Sequence, residues 1–162
     1  MAKANKKTYK TNDSIESITE RIENLNNSYL FIQGPPGTGK TYNTSRVIIN
    51  LLKKNYKVAI VCNSHDAIIN LIKSVDSYAN EINYNFNGIY RNSRYPSESL
   101  GKYIEVRNKS SVGTIELDKY NLFAGTASFL ARNDFIENSE VEKSYDFIFF
   151  DEAGQLSLSH LV

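Results

Sequence analysis

Short apolar runs alternate along the chain with segments in which apolar residues recur every three or four positions. The runs predict buried strands at 29–33, 58–62, 121–125 and 147–150, and a shorter strand at 88–90. Helical spacing predicts helices at 15–25, 41–54 and 67–75, and a further helix that begins near 126–128 and covers Phe129 and Leu130. Strands and helices in alternation predict an α/β fold with a parallel sheet, in which ligands bind beyond the carboxyl ends of the strands.

Polar residues mark where two of these helices begin. The run Asn12-Asp13-Ser14 offers an N-cap for the first helix, and either Ser64 or Asp66 offers one for the third. Lysines at 53 and 54 suit the negative end of the second helix.

Two stretches depart from this alternation. Residues 1–11 are basic, lack the apolar segment of a secretory signal and are predicted to form a disordered tail. Residues 83–111 show no lasting periodicity and are predicted to be an irregular insertion. Basic and aromatic residues interleave there, so the insertion either grips a single nucleic-acid strand or is a solvated loop whose tyrosines pack on the core, and the sequence favours the loop. The residues are Arg91, Arg94, Lys102, Arg107 and Lys109 with Tyr90, Tyr95 and Tyr103.

Composition and charge narrow the class of protein. A chain of 162 residues suffices for one domain with a sizeable core, and its formal net charge of +1 gives no global field that would attract nucleic acid. It contains no apolar run of about 18 residues, so no membrane span is expected. The single cysteine, Cys62, excludes an internal disulfide and follows an apolar run, which predicts a buried thiol in a cytoplasmic protein.

The segment from Gly34 to Thr41 reads GPPGTGKT and matches the phosphate-binding loop pattern G-x-x-x-x-G-K-[ST]. It lies between a predicted strand and a predicted helix. Its glycines allow successive backbone N–H groups to turn toward one anion, and the helix N-terminus adds further donors. A plain glycine-rich turn is the weaker alternative. The predicted nucleotide-binding residues are Gly34, Pro35, Gly37, Thr38, Gly39, Lys40 and Thr41, with Lys40 on the β- and γ-phosphates and Thr41 on Mg²⁺.

A second signature ends the last predicted strand, where apolar residues run into Asp151-Glu152. The pattern predicts a fully buried parallel strand whose carboxylates emerge at the ligand edge. Asp151 would support Mg²⁺, and Glu152 would orient and deprotonate the attacking water. Acidic residues commonly end strands, so this pair gains its meaning from the phosphate loop upstream.

These two motifs together resemble the first RecA-like domain of superfamily 1 helicases, in the nonsense-mediated-decay and Dna2-type branch. The later motif reads DEAGQ at 151–155, residues 61–71 are similar to motif Ia, and residues 125–128 are similar to motif Ic. The Asn-Ser-His form of motif Ia is most like bacterial proteins that fuse a RecB-like nuclease to such a helicase.

The resemblance implies roles for residues of this chain. It gives ATP and Mg²⁺ as cofactors, and it implies catalytic work for Lys40, Asp151, Glu152 and Gln155, with Gln155 sensing the γ-phosphate. It also implies a single-stranded nucleic-acid partner, DNA favoured over RNA. The residues near the strand path are Asn63, Ser64, His65, Thr126 and Ser128.

Two departures from the family pattern matter. Residues 12–20 contain no glutamine to read the adenine, which leaves the preference for ATP over GTP open. The later helicase motifs and the second RecA-like domain are not among the 162 residues. We therefore expect 12–162 to be a partial RecA-like P-loop domain, with its sheet truncated before the strand that normally lies between the phosphate-loop strand and the acidic strand.

The expected function is the ATP-binding part of a helicase that couples ATP hydrolysis to movement along a single strand, with little turnover by the chain alone. The alternative is a non-catalytic, nucleotide-responsive binding module that docks to a partner. A kinase or GTPase is a weaker third option, because three further motif matches would then be accidental.

Overall fold

A parallel sheet organises the part of the chain that the structure, a computed structural model, describes: residues 13–30, 32, 37–92, 100–108, 119–126 and 145–151. The elements in chain order are α1 (Ile15–Glu23), α2 (Lys40–Lys53), β1 (Val58–Cys62), α3 (His65–Glu81), β2 (Gly88–Asn92), β3 (Ile104–Asn108), β4 (Leu122–Thr126) and β5 (Phe147–Phe150).

The five described strands lie in the order β3-β2-β4-β1-β5, and every neighbouring pair is parallel. The connection from β1 to β2 runs through α3, which returns the chain to the same edge of the sheet. The predicted α/β class with a parallel sheet flanked by helices is confirmed, and the architecture is consistent with a RecA-like P-loop domain.

Side chains from alternate strand positions pack against the three described helices and form one apolar core. We call the side of the sheet that carries this core the helix face. All five residues of β1 are buried, as expected for a strand with neighbours on both sides, and the Cys62 thiol is buried as predicted. Burial of each large aliphatic side chain contributes about 1.5–3 kcal/mol. Fully buried members of this core include Ile48, Leu51, Leu52, Ile60, Ile68, Leu71, Ile72, Tyr90 and Leu122.

The opposite face of the sheet carries a smaller cluster. Ala59, Ile89 and Phe123 are buried there, together with Tyr120, and the partly buried Tyr145 packs against them. The Phe123 ring meets Tyr145 edge-on with centroids 4.9 Å apart. The Tyr145 hydroxyl has no hydrogen-bond partner among the described residues, and burial raises the pKa of this phenol well above its usual range.

The helix boundaries follow their sequence signals closely. Ser14 and Ser64 are the N-caps of α1 and α3, and each side-chain oxygen accepts a hydrogen bond from the backbone N–H three residues on. Ser64 rather than Asp66 is therefore the cap of α3. This helix continues to Glu81, beyond the predicted end at 75, because Tyr78 and the buried Ala79 extend its apolar stripe.

The predicted strand at 29–33 is wrong within the residues that can be compared. Tyr29, Leu30 and Ile32 lie outside any strand, and Tyr29 and Ile32 are 69% and 45% exposed. No described strand pairs with this segment. An apolar run needs a neighbouring ladder to become a strand, because its backbone groups must be hydrogen-bonded. Phe31 and Gln33 lie outside the described residues.

The prediction that the last strand is fully buried is also wrong. Along β5 the side chains alternate between half-buried and exposed, with Ile148 49% and Phe150 37% exposed. In the described sheet β5 pairs only with β1, so it is an edge strand. Phe147 and Phe149 pack on the helix face, which leaves the alternate positions outside that core.

Within the stretch predicted to be an irregular insertion, the shorter strand predicted at 88–90 is confirmed as β2, and a second strand that was not predicted, β3, pairs parallel to it. The signal for β3 was present in Ile104-Glu105-Val106-Arg107, where apolar and charged residues alternate as they do in an edge strand with one polar face. Of the basic and aromatic residues singled out there, Arg94, Tyr95 and Lys109 lie outside the described residues.

A buried carboxylate fastens this stretch to α3. Asp76 is 8% exposed and accepts hydrogen bonds from the backbone N–H groups of Lys102, at 3.1 Å, and Tyr103, at 2.8 Å. A Cβ at Gly101 would lie 2.5 Å from both carboxylate oxygens, so glycine is required for this close approach.

Candidate functional site

The carboxyl ends of β1, β4 and β5 bring several predicted site residues to one edge of the sheet. Cys62, the last residue of β1, is in register with Thr126 of β4. On the other side of β1, the backbone N–H of Asp151 donates a hydrogen bond of 3.0 Å to the carbonyl of Val61. The turn Asn63-Ser64 leaves β1 at this point, and α3 begins at His65. Asp151, Thr126 and residues 63–65 therefore lie at the same edge.

The first turn of α2 also lies toward this edge. The helix ends at Lys53, a few residues before β1 begins, so its C-terminus lies near the opposite edge. Contacts advance together along α2 and along α3 with the residues that follow it: Ser74 donates to Ser45, Arg46 stacks on Tyr78, and Lys53 lies over Tyr84, just after the end of α3. The two helices therefore run in the same direction, and both begin at the ligand edge.

The described part of the phosphate loop has the backbone conformation that its glycines were predicted to allow. Gly37 and Gly39 have φ values of 81° and 75°, in the left-handed region that favours glycine. Space is not the constraint, because a Cβ at either position would meet nothing within 4 Å. Gly39 is the N-cap of α2, and its carbonyl accepts a hydrogen bond of 2.9 Å from the Asn43 N–H.

The N-terminus of α2 differs from those of α1 and α3 in a way that fits an anion. The other two begin with a serine cap and carry an acidic residue in the first turn, Glu16 or Asp66. In α2 the cap makes no side-chain hydrogen bond, and the first turn holds no acidic residue. Its first N–H groups and the positive end of its dipole therefore suit a phosphate.

Two side chains are suited to supporting a magnesium ion held mainly by phosphates and water. Thr41 follows Lys40 in the first turn of α2 and is exposed, and Asp151 follows β5 at the same edge. Within the described ranges, His, Cys, Asp and Glu residues form no group of three or more that could hold a metal ion. Mg²⁺ is usually bound through only one or two carboxylates plus substrate phosphates, so this ligand set is chemically adequate.

The turn after β1 presents residues of different character. Asn63 is exposed, whereas the Ser64 hydroxyl oxygen already accepts a 3.1 Å hydrogen bond from the Ala67 N–H as the helix cap. His65 is half-buried, and its Nδ1 lies 2.6 Å from the hydroxyl oxygen of Tyr90. Thr126 is partly buried at the end of β4. Ser64 thus has a structural task in addition to any contact with a strand.

Five of the predicted site residues lie outside the described residues: Gly34, Pro35, Ser128, Glu152 and Gln155. Their roles remain predictions from the sequence.

Sequence reasoning missed Tyr90 as a partner of the site, although it placed this residue in a short strand and favoured packing of the tyrosines of this stretch on the core. It is fully buried in β2 and reaches the first residue of α3. A tyrosine within an otherwise apolar strand was the available signal, because a buried hydroxyl needs a hydrogen-bond partner. Its partner is 25 positions away in the chain, which periodicity does not reveal.

At the opposite edge of the sheet, β2 and β3 begin beside a cavity of about 270 Å³ whose lining includes Lys102, Tyr103, Glu105 and Tyr120. The Tyr120 hydroxyl donates to Glu105, and the Arg107 Nε donates to the same carboxylate at 2.6 Å. These two hydrogen bonds lower the pKa of Glu105. The Lys102 ammonium lies 4.9 Å from the centre of its neighbour's ring, Tyr103. Tyr103 packs against the core, as the solvated-loop alternative expected of the tyrosines, whereas Arg107 lies in strand β3 and not in a loop.

No helix in the described ranges is long and apolar enough to cross a membrane.

Comparison with known proteins relates the chain to helicase and ATPase domains. The sequence profile of the family described as "Type III restriction enzyme, res subunit" matches residues 6–159. A segment of 68 residues, 41% of the chain, is 37% identical to ECM32 of Saccharomyces cerevisiae, which is named as a candidate ATP-dependent RNA helicase. That segment covers 6% of the yeast protein. No solved structure matches the chain. Because the family profile spans nearly the whole sequence, the chain belongs to the res-subunit family of helicase and ATPase domains.

Proposed function

We propose that the chain is the ATP-binding part of a nucleic-acid helicase that couples ATP hydrolysis to movement along a single strand. The observation that carries this proposal is the convergence at one sheet edge of the α2 N-terminus, Asp151 and the turn at 63–65. Membership of the res-subunit family and the similarity to a candidate helicase of yeast support it.

The proposed division of labour at the nucleotide follows from charge and position. Lys40 and the first N–H groups of α2 neutralise the β- and γ-phosphates, and Thr41 and Asp151 hold Mg²⁺. Bound MgATP supplies the transferable γ-phosphoryl group. Glu152 accepts the proton of the attacking water, and Gln155 contacts the γ-phosphate. Most of the catalysis asked of these residues is positioning and electrostatic stabilisation.

The strand side of the proposal uses the residues that leave β1 and β4 at the same edge. Asn63, Ser64 and His65 would contact the backbone of a bound strand, together with Thr126 and Ser128. Because the Asp151 N–H is bonded to the carbonyl of Val61, the acidic residue and the turn at 63–65 are joined through β1. We favour DNA over RNA because motif Ia resembles that of nuclease-fused bacterial helicases. The yeast relative, by contrast, is named as an RNA helicase.

Nucleotide binding by the chain is tested by thermal unfolding with and without MgATP, beside Lys40→Ala. At about 100 times the dissociation constant, ATP should stabilise the chain by about 2.7 kcal/mol. Lys40→Ala should abolish the shift, and Lys73→Ala, an exposed lysine on α3, should retain it. An equal shift in the chain and in Lys40→Ala would reject this phosphate site. Repeating the titration with MgGTP decides the base preference.

A second candidate is a nucleotide-responsive module that docks to a partner without turnover. The exposed side chains of Ile148 and Phe150 on the edge strand β5 favour it, since an unpaired edge with apolar residues is prone to association. Light scattering after size exclusion distinguishes the two candidates. A monomer at every concentration, unchanged by MgATP, would contradict docking between copies, and self-association governed by nucleotide would favour it.

A further inference from the structure

Two Lys-Tyr pairs flank the start of β2, at the edge of the sheet opposite the phosphate loop. Lys102-Tyr103 precedes β3 and Lys119-Tyr120 precedes β4, and β2 lies between these two strands in the sheet. Neighbouring strands are about 4.8 Å apart, so the two pairs lie about 10 Å from each other across β2. Two lysine side chains at this separation can contact one anion between them.

Both pairs line the cavity of about 270 Å³ at this edge. Both lysines are exposed, and each ammonium group lies over a tyrosine ring, that of Lys102 4.9 Å from the Tyr103 centroid and that of Lys119 5.6 Å from the Tyr120 centroid. The alkyl stems therefore cover aromatic surface while the charges stay at the rim of the cavity. Within the described part of the chain, neither ammonium forms an ion pair with a carboxylate.

The lining also contains a carboxylate, Glu105, whose charge is compensated within the cavity wall. Its Oε1 accepts a 2.6 Å hydrogen bond from the Arg107 Nε, and its Oε2 accepts one from the Tyr120 hydroxyl. Both oxygens are thus engaged, and the guanidinium offsets the negative charge. The charges of the two lysines remain to act on a ligand, which favours an anion.

The fold itself fixes the backbone that carries both pairs. The Asp76 carboxylate accepts hydrogen bonds from the N–H groups of Lys102 and Tyr103. On the other side of β2, the Asn121 N–H donates to the carbonyl of Asn87 at 2.9 Å, and the Asn121 Oδ1 accepts from the Asn87 N–H at 3.0 Å. A site that is formed in advance loses less ordering entropy when a ligand binds, and most ligand sites are of this kind.

The rest of the lining decides what kind of anion fits. It is largely aromatic or apolar, and it includes Phe86, Tyr103, Ile104 and Tyr120. The volume of the cavity is close to the lower end of the range for ligand pockets, about 300 Å³, which leaves room beside a phosphate group for a planar ring. Aromatic side chains favour nucleic-acid bases in such positions. A nucleotide therefore matches both the charges at the rim and the lining.

We propose that this cavity is a second nucleotide site, in which Lys102 and Lys119 bind a phosphate group and the aromatic lining receives the base. The site is separate from the phosphate loop, and it goes beyond the proposed function. It gives a role to part of the basic and aromatic pattern in which the sequence singled out Lys102 and Tyr103. A free nucleotide and one nucleotide of a strand present the same chemistry, and the experiment separates these two sources.

Amide NMR of the Lys40→Ala chain, titrated with dTMP without magnesium, tests the site while the phosphate loop is disabled. The amide signals of residues 102–103 and 119–120 should move. Thymidine, which lacks the phosphate, and inorganic phosphate, which lacks the base, should each bind about tenfold more weakly or less. Signal changes confined to other parts of the chain would overturn the proposal. Equal binding of inorganic phosphate would overturn the assignment to a nucleotide, and equal binding of thymidine would overturn the role of the lysines.

Lys102→Met and Lys119→Met in the same background remove one charge each and keep an unbranched side chain over the tyrosine ring. Each should weaken dTMP binding about tenfold or more, the loss expected for a hydrogen bond to a charged group. Lys73→Met is the matched control, because Lys73 is an exposed lysine on α3 outside the cavity, and it should leave the affinity unchanged. Equal losses in all three variants, or unchanged affinity in both cavity variants, would overturn the proposal.

Competition with oligo(dT) identifies the source of the nucleotide. Displacement of dTMP from the signals at 102–103 and 119–120 would assign the cavity to a strand, and each methionine variant should then reduce the slope of log affinity against log salt by about 0.7. Lack of displacement would assign it to a free nucleotide.

With Lys40 intact, the two cavity variants should bind MgATP as the unsubstituted chain does. A loss of MgATP affinity in them would overturn the separation of the two sites. Absence of MgATP binding in the unsubstituted chain, with dTMP bound at the cavity, would count against the proposed function alone.

Discussion

A single carboxylate, that of Asp76, holds the segment that leads into β3. It is nearly buried and is bonded to two backbone N–H groups, those of Lys102 and Tyr103. Asp76→Ala would leave both donors without their acceptor, so we expect the free energy of unfolding to fall by about 2–4 kcal/mol. Urea unfolding followed by circular dichroism measures this.

Asp66→Ala is the matched control for that change, because it removes an exposed carboxylate from the first turn of the same helix. A loss below about 1 kcal/mol is expected, since only a favourable interaction with the helix dipole disappears. Equal losses in the two variants would show that the bonds from 102 and 103 contribute nothing specific.

The carboxyl of Glu105 gives stability a defined pH dependence. Hydrogen bonds from the Tyr120 hydroxyl and the Arg107 guanidinium lower its pKa below the usual 4.5. A lowered pKa in the folded state stabilises the fold above the unfolded value, and this contribution is lost as the pH falls through the folded value. The difference in unfolding free energy between the chain and Glu105→Gln should therefore be larger at neutral pH than in acid.

Urea unfolding at about pH 7 and about pH 3.5 measures that difference. In the Tyr120→Phe background this difference in unfolding free energy should be smaller at neutral pH, because the hydrogen bond from the Tyr120 hydroxyl, the largest cause of the lowered pKa, is gone. If the difference in unfolding free energy does not depend on pH, then Glu105 titrates alike in the folded and unfolded chain.

Residues whose partners lie nearby in the chain were predictable, and those with distant partners were not. Ser14 and Ser64 cap helices that begin at the next residue, and Gly37 and Gly39 follow from a local motif. The contacts of Asp76 and Tyr90 span about 25 positions and exist only because the strand order brings their partners together. Sequence periodicity contains no such information.

At the scale of elements, β5 shows how an apolar run misleads. Its four apolar residues predict burial on both faces, yet the edge position leaves Ile148 and Phe150 exposed while Phe149 packs on the helix face. Phe149→Ala in the 162-residue chain should lower the free energy of unfolding by about 2–4 kcal/mol. Ile148→Thr should cost less than about 1 kcal/mol, because it removes little buried surface and keeps β-branching.

Chemical unfolding of the two variants decides between an edge strand and a covered one. If Ile148→Thr is as costly as Phe149→Ala, then the outer face of β5 is buried in solution. The run at 29–33 is a second example. Its described apolar residues do not form a strand, because no described strand lies beside them to pair with. The inner strands β1 and β4, which have neighbours on both sides, were predicted to within about one residue at each end.

For the whole molecule, the parallel order of the strands was predictable because alternation of helices and strands leaves few other topologies. The position of β2 and β3 at one end of the sheet was not, since residues 93–99 and the charged face of β3 obscure the alternation. The same topology brings the phosphate-loop helix, Asp151 and the turn after β1 to one edge, as expected when ligands bind beyond the carboxyl ends of parallel strands.

Turnover of ATP depends on charge stabilisation, and three of the four described arginines, all but Arg91, make contacts elsewhere in the fold. Arg21 pairs with Asp13 at 3.2 Å, Arg46 is stacked between the rings of Tyr42 and Tyr78, and Arg107 is bonded to Glu105. Each is thus engaged in a contact that serves the fold. In related phosphoryl-transfer enzymes a well-placed arginine contributes about 10³–10⁵ in rate.

We therefore expect the 162-residue chain to bind MgATP but to hydrolyse it at least about 10³-fold below the rate of about 10 per second that is ordinary for enzymes. Phosphate release with and without oligo(dT) and oligo(U) measures this, and Lys40→Ala gives the background. Turnover near the ordinary rate with either strand present would show that the chain completes its own catalytic site, and the expectation of slow turnover would be wrong. A slow rate that rises with oligo(dT) more than with oligo(U) would support both the proposed coupling and the preference for DNA.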